Sequence, residues 1–396
     1  MAASKFEVAD AIDKFFDEDF RKCIPAYQQR TLSALQACRT ASLGGHVDAC
    51  DLCGLLQISY NSCRNRNCPK CQGLQKEMWT IQREEELLPV SYFHVVFTLP
   101  HELNGLCLHN PRFMYDLLLE SAWYVLNSFA RDPKWLGAQS AATMILHTWG
   151  QNLQLHPHVH CIVPSGGLDT EGNWQNPKKG GPDFLYPILA MNKVYRAYFL
   201  KQLKIALEGG RLSLPDDFPT DKPYKVWKEN LYKKEWVVYT KPPFSKPENV
   251  VNYLARYSHR IAISNQRIIN VTNKKVTFRY KDYKQGAKQK VMVLKGKDFL
   301  RRFCLHIVPE RFRKIRHFGF LSNAVKTKSL KLAKRSLQNK RYQALSKAER
   351  KAYAMLRLFG QLKNVCSCCG KEQLVTIDIW LANKDPPGYL KKGKRK

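Results

Sequence analysis

Acidic residues are scarce in this chain: 33 Asp and Glu stand against 65 Lys and Arg in 396 residues, leaving a net charge of +32. So large a deficit exceeds what solubility requires and makes a polyanion, nucleic acid first, the expected partner. Long apolar runs are missing as well. No stretch of about eighteen apolar residues occurs, which argues against a membrane span, and the opening residues Met1 to Val8 lack the basic-then-apolar form of a signal peptide. An intracellular protein without a membrane partner is therefore expected. Internal repeats are absent too, while 44% hydrophobic content is enough to fill two or three ordinary cores.

Cysteine, by contrast, is plentiful. Thirteen cysteines without secretory features point to metal binding in a reducing compartment rather than to disulfides. Cys50-x2-Cys53 and Cys68-x2-Cys71 are two knuckles about fifteen residues apart. Each knuckle sets two thiolates on one side of a tight turn, and two turns close a tetrahedron. Cys50, Cys53, Cys68 and Cys71 are thus the expected ligands of a structural Zn2+, whose full sulfur shell leaves no open position for catalysis. Cys63 is spare; it could replace one of the four or, with His46, help to hold a second ion. Arg64, Arg66 and Lys70 around the knuckles are expected to touch DNA phosphates. Near the C-terminus Cys366, Cys368 and Cys369 repeat the knuckle spacing once with no pair after it, so partial ligation or plain buried thiols are expected there. Cys23, Cys38, Cys107, Cys161 and Cys304 read as core residues.

His158-Val159-His160 carries the most specific chemistry. Successive side chains on a strand alternate faces, so both imidazoles can reach one metal ion while Val159 enters the core. Cys161, Ile162 and Val163 supply the apolar run of a buried strand, and Pro164-Ser165-Gly166-Gly167 ends it. Downstream, Tyr253 and Tyr257 lie four apart, on one face of a helix, so both phenols can enter one site. Alone, such a stripe reads as core packing, and a lone histidine as a satisfied core residue. Together on a basic chain they suggest a nuclease: a tyrosine phenolate can attack a phosphodiester and keep the DNA 5′ end as a phosphotyrosine, while a divalent ion polarises the phosphate. Arg256, His259 and Arg260 could lower the phenol pKa or hold phosphate oxygens.

The wider pattern predicts an α+β protein with a central antiparallel sheet. Residues 6–42 look helical; 92–99, 144–149 and 158–163 look like strands; 111–130 is a helix; 170–245 mixes helix and strand with long loops; and 276–280 with 290–294 reads as a hairpin. From 311 to 358 there are fifteen Lys or Arg and one acid, Glu349. That run is expected to track a DNA backbone through residues such as Arg313 and Arg316. Phe312, His317, Phe318, Phe320 and Tyr342, interleaved with it, would suit stacking on unpaired bases.

A series of longer blocks follows one order along the chain: Leu43-Gly44-Gly45-His46-Val47, Asn61 to Arg66 with Cys68-Pro69-Lys70-Cys71-Gln72, Tyr92 to Asn104, His147-Thr148-Trp149-Gly150-Gln151, His156 to Leu168, Tyr239 to Phe244, Tyr253 to Asn265 and Arg316 to Leu321. Through these blocks, from about residue 24 to about residue 375, the chain resembles the rolling-circle transposases of the insertion sequence 91 family, two-tyrosine members of the His-hydrophobic-His (HUH) nucleases. The resemblance implies a bacterial, cytoplasmic, nucleoid-associated DNA transposase that cuts and rejoins single-stranded DNA at element ends through 5′-phosphotyrosine. It implies His158 and His160 as ligands of a catalytic Mg2+ or Mn2+, Tyr253 and Tyr257 as nucleophiles, and a zinc-binding domain around Cys50 to Cys71. For the third ligand of the catalytic ion, Gln151 is the first choice, with His147 and His156 as rivals. One departure stands out: the family block reads CysArgAsnArgHisCys, and this chain has Asn67 where the histidine stands, which argues against a second zinc ion. The expected division is a helical and zinc-binding module over 1–90, an HUH nuclease domain over 91–325, and a basic helical region with a cysteine knuckle and disordered tail over 326–396. Two other readings stay open: a replication initiator or relaxase with the same chemistry, and a catalytically silent zinc protein that binds nucleic acid.

Overall fold

The computed structural model describes residues 5–179, 185–219, 221–241, 249–250, 261–338, 344–359, 365–371, 374–382 and 384. Tyr253, Tyr257, Arg256, His259, Arg260, Tyr342 and the last twelve residues, 385–396, lie outside them. The helical stretch at the N-terminus is three helices rather than one: α1 (Val8–Phe15), α2 (Glu18–Lys22) and α3 (Ala26–Ala37). Asp17 accepts the Phe20 N–H at 2.8 Å and so starts a new helix. Pro25, whose fixed φ of −66° suits entry to a helix and whose missing N–H costs nothing there, stands just before α3. Strands β1 (Gly45–Cys50) and β2 (Leu56–Tyr60) pair as a hairpin, and α4 (Gln72–Glu85) follows.

The middle of the chain contributes β3 (Tyr92–Thr98), α5 (Asn104–His109), α6 (Pro111–Arg131), β4 (Ala141–Trp149) and β5 (Leu155–Pro164). A two-stranded ribbon, β6 (Gly167–Leu168) with β7 (Trp174–Gln175), leads to α7 (Ile188–Glu208), α8 (Asp221–Lys233) and β8 (Val237–Lys241). Past residue 260 come β9 (Ile268–Val271), β10 (Lys275–Asp282) and β11 (Lys288–Lys295), then α9 (Gly296–Cys304), β12 (Ile315–Gly319), α10 (Lys326–Ser336), α11 (Lys347–Phe359) and β13 (Leu374–Trp380). The expected hairpin is present as β10 and β11, widened by β9 into a three-stranded sheet. Among the described residues, no helix is long and apolar enough to cross a membrane.

The central sheet runs β12-β4-β5-β3-β8 with every neighbour antiparallel. Alternation gives it two unlike faces. Phe93, Val95 and Phe97 of β3, Met144 and Leu146 of β4, and Val159, Cys161 and Val163 of β5 enter one core with Leu118 of α6 and Phe199 of α7. Burying each large apolar side chain contributes about 1.5–3 kcal/mol, so this face fixes the register. The opposite face carries the histidines, flanked by a small apolar cluster of Tyr92, Ile145, Ile162 and Val250 with Trp79 of α4 against it. A second core joins α1, α3, α9 and the β9–β11 sheet and reaches Trp149 and Leu153 at the end of β4.

The C-terminal region folds back onto the beginning of the chain. Strand β13 pairs antiparallel with β1, giving a third sheet in the order β13-β1-β2. Gly45 stands opposite Trp380, where any Cβ would lie 2.6 Å from the indole. Helix α11 lies along α4: Arg350 forks onto the Glu85 carboxylate at 2.8 and 2.9 Å, and Arg357 reaches Glu84 at 2.8 Å. Lys326 of α10 pairs with Glu86 at 2.7 Å. The range 326–396, expected as a unit of its own, therefore shares a sheet and a helix pair with the range 1–90. Among the described residues, four of the fifteen basic residues in the run, Arg316, Lys326, Arg350 and Arg357, pair with carboxylates of the protein itself. Four of the aromatic residues expected to stack on bases are engaged within the protein, and Tyr342 lies outside the described residues. Phe312 and Phe320 are buried, Phe318 stacks on Trp123, and His317 is bonded between Arg83 and Thr143.

Candidate metal centres and nuclease face

Strand register places three imidazoles together. His158 sits opposite His147 of β4 and Thr98 of β3, and His160 sits opposite Ile145 and Val96. Ring nitrogens of His147, His158 and His160 all lie within 4.8 Å of one another. The His160 ring is 4.9 Å from His158 and 4.6 Å from His147, steeply inclined to both. His147, one of the two rivals to Gln151, is thus the third donor that the fold brings up. Gln151 lies in the turn after β4, where its main-chain carbonyl accepts a hydrogen bond from Arg267. His156 contributes through its backbone: its carbonyl accepts from His158 Nδ1 at 2.7 Å. That bond fixes the tautomer of His158 and turns Nε2 toward the cluster.

His94, in the middle of β3, was not singled out by the sequence reading. Its Nε2 meets His160 Nδ1 at 2.8 Å, with the rings stacked 5.1 Å apart. Burial, with Lys241 and His158 nearby, pushes the His94 pKa down to about 3, so the ring is neutral. A neutral His94 can accept the Nδ1 proton of His160 and leave Nε2 of that ring to face an ion. His94 is two residues before Val96, the strand partner of His160, and so shares its face, a relation that rests on pairing between strands rather than on local spacing. Trp149 stacks on His147 at 4.6 Å and holds that ring upright. Three imidazole nitrogens suit a first-row divalent ion, and among the expected pair Mn2+ accepts them more readily than Mg2+, which favours oxygen.

The cysteines group differently from their spacing in sequence. Cys50, Cys53, Cys68 and Cys71, expected as one shell, divide between two clusters, each with sulfurs within 4.8 Å of one another. Cys68 and Cys71 stand with Cys38 and Cys63; Cys50 and Cys53 stand with Cys366 and Cys369. The physical reason is the β1–β2 hairpin. It carries its knuckle, between the two strands, away from the knuckle that opens α4, and toward the end of β1 that pairs with Leu374. In the first cluster Cys68 Sγ lies 3.4 Å from Cys38 and Cys63 Sγ lies 3.8 Å from Cys71, while the Asn65 N–H points at Cys63 Sγ. Four thiols at such separations fit tetrahedral zinc. Cys38, assigned to the core on sequence grounds, and Cys63, left as a spare, complete this set. Asn67 turns its amide back onto Asn65 and is not needed in either set.

Of the basic residues expected on DNA, three have protein partners. The Arg66 guanidinium donates to the carbonyls of Val308 and Pro309 at 3.1 and 2.9 Å. Lys70 pairs with Glu7 at 2.5 Å, and Arg316 pairs with Asp116. These three act as struts between segments. Arg64 and Arg313 are exposed, and Arg64 with Arg39 lines an open groove of about 880 Å³ between the β1–β2 hairpin and α11.

Family models match two parts of the chain: one described as "Transposase zinc-binding domain" over residues 8–99 and one described as "Putative transposase" over residues 141–329. Among curated relatives, "Putative transposase y4qJ" of Sinorhizobium fredii (strain NBRC 101917 / NGR234) is 40% identical over 399 residues, covering 98% of each chain. "Transposase for insertion sequence element IS801" of Pseudomonas savastanoi pv. phaseolicola is 30% identical over 305 residues, covering 74% of this chain and 70% of its own. A solved conjugative relaxase, TrwC in complex with oriT DNA, aligns over 58% of this chain and 93% of its own at 8% identity, with a TM-score of 0.25.

Proposed function

The chain belongs to the insertion sequence 91 family of transposases, and from that premise we propose that it cleaves and rejoins single-stranded DNA at element ends through 5′-phosphotyrosine intermediates. The observation that carries this reading is the three-histidine face and what borders it. Val250, three residues before Tyr253, is buried with Ile145 and Ile162 on that face. Three residues of chain span at most about 10 Å, which supports bringing the Tyr253 phenol to the histidines in this reading. On the far side, Ala262 and Ile263 share a core with Trp149, which stacks on His147.

In the proposed step a phenol oxygen of Tyr253 or Tyr257 forms a bond to phosphorus, the bond from phosphorus to the 3′ oxygen breaks, and the leaving 3′ oxygen takes up a proton as the phenol loses one. The phosphodiester energy is conserved in the phosphotyrosine, so the second tyrosine can repeat the cut and a 3′ hydroxyl can reseal the strand. His147, His158 and His160 would hold a divalent ion, Mn2+ or Mg2+, which when bound polarises the scissile phosphate and stabilises the leaving oxygen. His94 and the His156 carbonyl orient two of those rings. Arg256 and Arg260 would hold phosphate oxygens, with Arg64 and Arg313 extending the contact along the strand. Cys38, Cys63, Cys68 and Cys71 would hold a structural zinc in the N-terminal module.

The test is cleavage of labelled single-stranded DNA bearing candidate element ends with Mn2+ or Mg2+, using the wild type, Tyr253→Phe, Tyr257→Phe, the double variant and His158→Ala. A denaturation-resistant protein–DNA adduct that requires His158 and disappears in the double tyrosine variant is expected. Tight DNA binding without an adduct on any end would favour a catalytically silent binder. Cutting confined to a plasmid origin would favour a replication initiator or relaxase.

A further inference from the structure

Cys50, Cys53, Cys366 and Cys369 come from opposite ends of the chain, and we infer that they hold a second zinc ion that clasps the C-terminal strand to the N-terminal module. The two halves of this cluster are built alike. Each reads Cys-x2-Cys-Gly, with the glycine in the left-handed region at φ +69° for Gly54 and +70° for Gly370. In each, the glycine N–H donates to the carbonyl of the first cysteine, at 2.8 Å from Gly54 to Cys50 and 3.0 Å from Gly370 to Cys366. In each, the first cysteine N–H closes the turn on the carbonyl five residues on, at 3.0 Å from Cys50 to Leu55 and 2.8 Å from Cys366 to Lys371. One turn, met twice across 313 residues of sequence, is the form in which backbone N–H groups aim at sulfur and both thiols point the same way. The Cys368 N–H lies 3.4 Å from Cys366 Sγ in that manner.

The two knuckles face each other. Cys50 Sγ is 3.6 Å from Cys369 Sγ and Cys53 Sγ is 3.5 Å from Cys366 Sγ, and all four sulfurs fall within 4.8 Å. Thiolates bound to zinc at about 2.3 Å occupy a tetrahedron with edges of about 3.8 Å, close to these separations and well beyond the ~2.05 Å of a disulfide. The cluster is not a by-product of one hairpin. It forms because β13 lies against β1, with Leu374 opposite Cys50. The small β13-β1-β2 sheet leaves Leu56, Ile58, Val375 and Ile377 exposed, so apolar burial alone gives it little stability. A metal clasp supplies what that sheet lacks. The ion would also tie down α11, whose Arg350 and Arg357 rest on α4.

The experiment is a zinc count on the full-length chain, by release of metal with a thiol-blocking mercurial into a colorimetric chelator. Two zinc ions per chain are expected for the wild type and one for both Cys366→Ser/Cys369→Ser and Cys50→Ser/Cys53→Ser. Cobalt substitution should halve the thiolate charge-transfer absorbance in each of these variants. A single ion in the wild type, unchanged by Cys366→Ser/Cys369→Ser, overturns the inference. Should the variants aggregate, the wild type decides through alkylation: Cys366 and Cys369 are expected to resist iodoacetamide until a chelator is added without reductant. Exposure by reductant alone would mean disulfides and would equally overturn it. Neither readout depends on DNA cleavage, so it stands or falls separately from the nuclease reading.

Discussion

The histidine face and the cluster of Cys50, Cys53, Cys366 and Cys369 are both groups of side chains able to ligate a metal ion, yet they are assembled by opposite means. His147, His158 and His160 come from β4 and β5, strands joined by a short turn and locked by the core residues alternating with them. Slipping β5 by one residue would turn both His158 and His160 into the core and away from His147. In the cysteine cluster each knuckle is a finished local turn, but bringing Cys53 to Cys366 requires closing a separation of 313 residues. Closure entropy grows only slowly with length; what such a site lacks is a local partner to form against. The first kind of site is as stable as the sheet that carries it, whereas the second can be lost while the central sheet persists.

The largest effect that would sharpen this contrast comes from a histidine ligand. His158→Ala should lower strand cleavage by on the order of a thousandfold or more, as expected for removing several kcal/mol of metal-assisted charge stabilisation, while zinc content stays unchanged. Cys366→Ser/Cys369→Ser should do the reverse, losing one zinc while Mn2+ still titrates onto the histidine face. If either change abolished both metals, the two regions would not be separable.

Acid should strike the central sheet. His94, His306 and His317 are each pushed down to about 3, first by burial. Their folded-state values lie below the unfolded value near 6.5, so the unfolded chain binds more protons as pH falls. Their contribution is complete above about 6.5 and is lost progressively toward 3, on the order of 1 kcal/mol per group per pH unit. Melting temperatures measured at pH 7 and pH 4.5 should differ accordingly, and a flat profile would contradict neutral buried histidines.

Two smaller effects probe the supports. His94→Ala should weaken Mn2+ affinity about 10–100-fold, the usual consequence of removing a group that orients a metal ligand, with partial recovery in His94→Gln; calorimetric titration would measure it. Arg350→Ala should cost about 2 kcal/mol in urea unfolding, because its partner Glu85 is largely buried and forked. Arg357→Ala, on more exposed partners, should cost less than about 1 kcal/mol.

Much of the candidate site could be read from neighbouring residues. The alternation in His158-Val159-His160 reports a strand face directly, and Val159 is fully buried opposite its two histidines as period two requires. The strands around Phe93 and Ile145, the helix from Pro111 and the hairpin at Val276 all carry their periodicity within a dozen residues. The choice among Gln151, His147 and His156 had no such local answer. It depended on the irregular pairing between His147 and Trp149, which sets which residue of β4 stands beside His158. His94 was missed for a similar reason, since its role arises from the diagonal between β3 and β5.

Charge was legible as a total but not as a distribution. A net charge of +32 is in the sequence, yet nothing local says that Arg66 caps the carbonyls of residues 308 and 309, that Lys70 meets Glu7, or that Arg350 meets Glu85. The sequence by itself determined the family, the α+β class, the histidine strand and the knuckles as turns, because each rests on interactions between residues close along the chain. Only the tertiary structure decided which knuckle faces which, that Cys38 joins Cys63, Cys68 and Cys71 while Cys366 joins Cys50 and Cys53, and which arginines stay exposed. Those outcomes depend on strand pairings and helix contacts between distant segments, whose geometry no local spacing encodes.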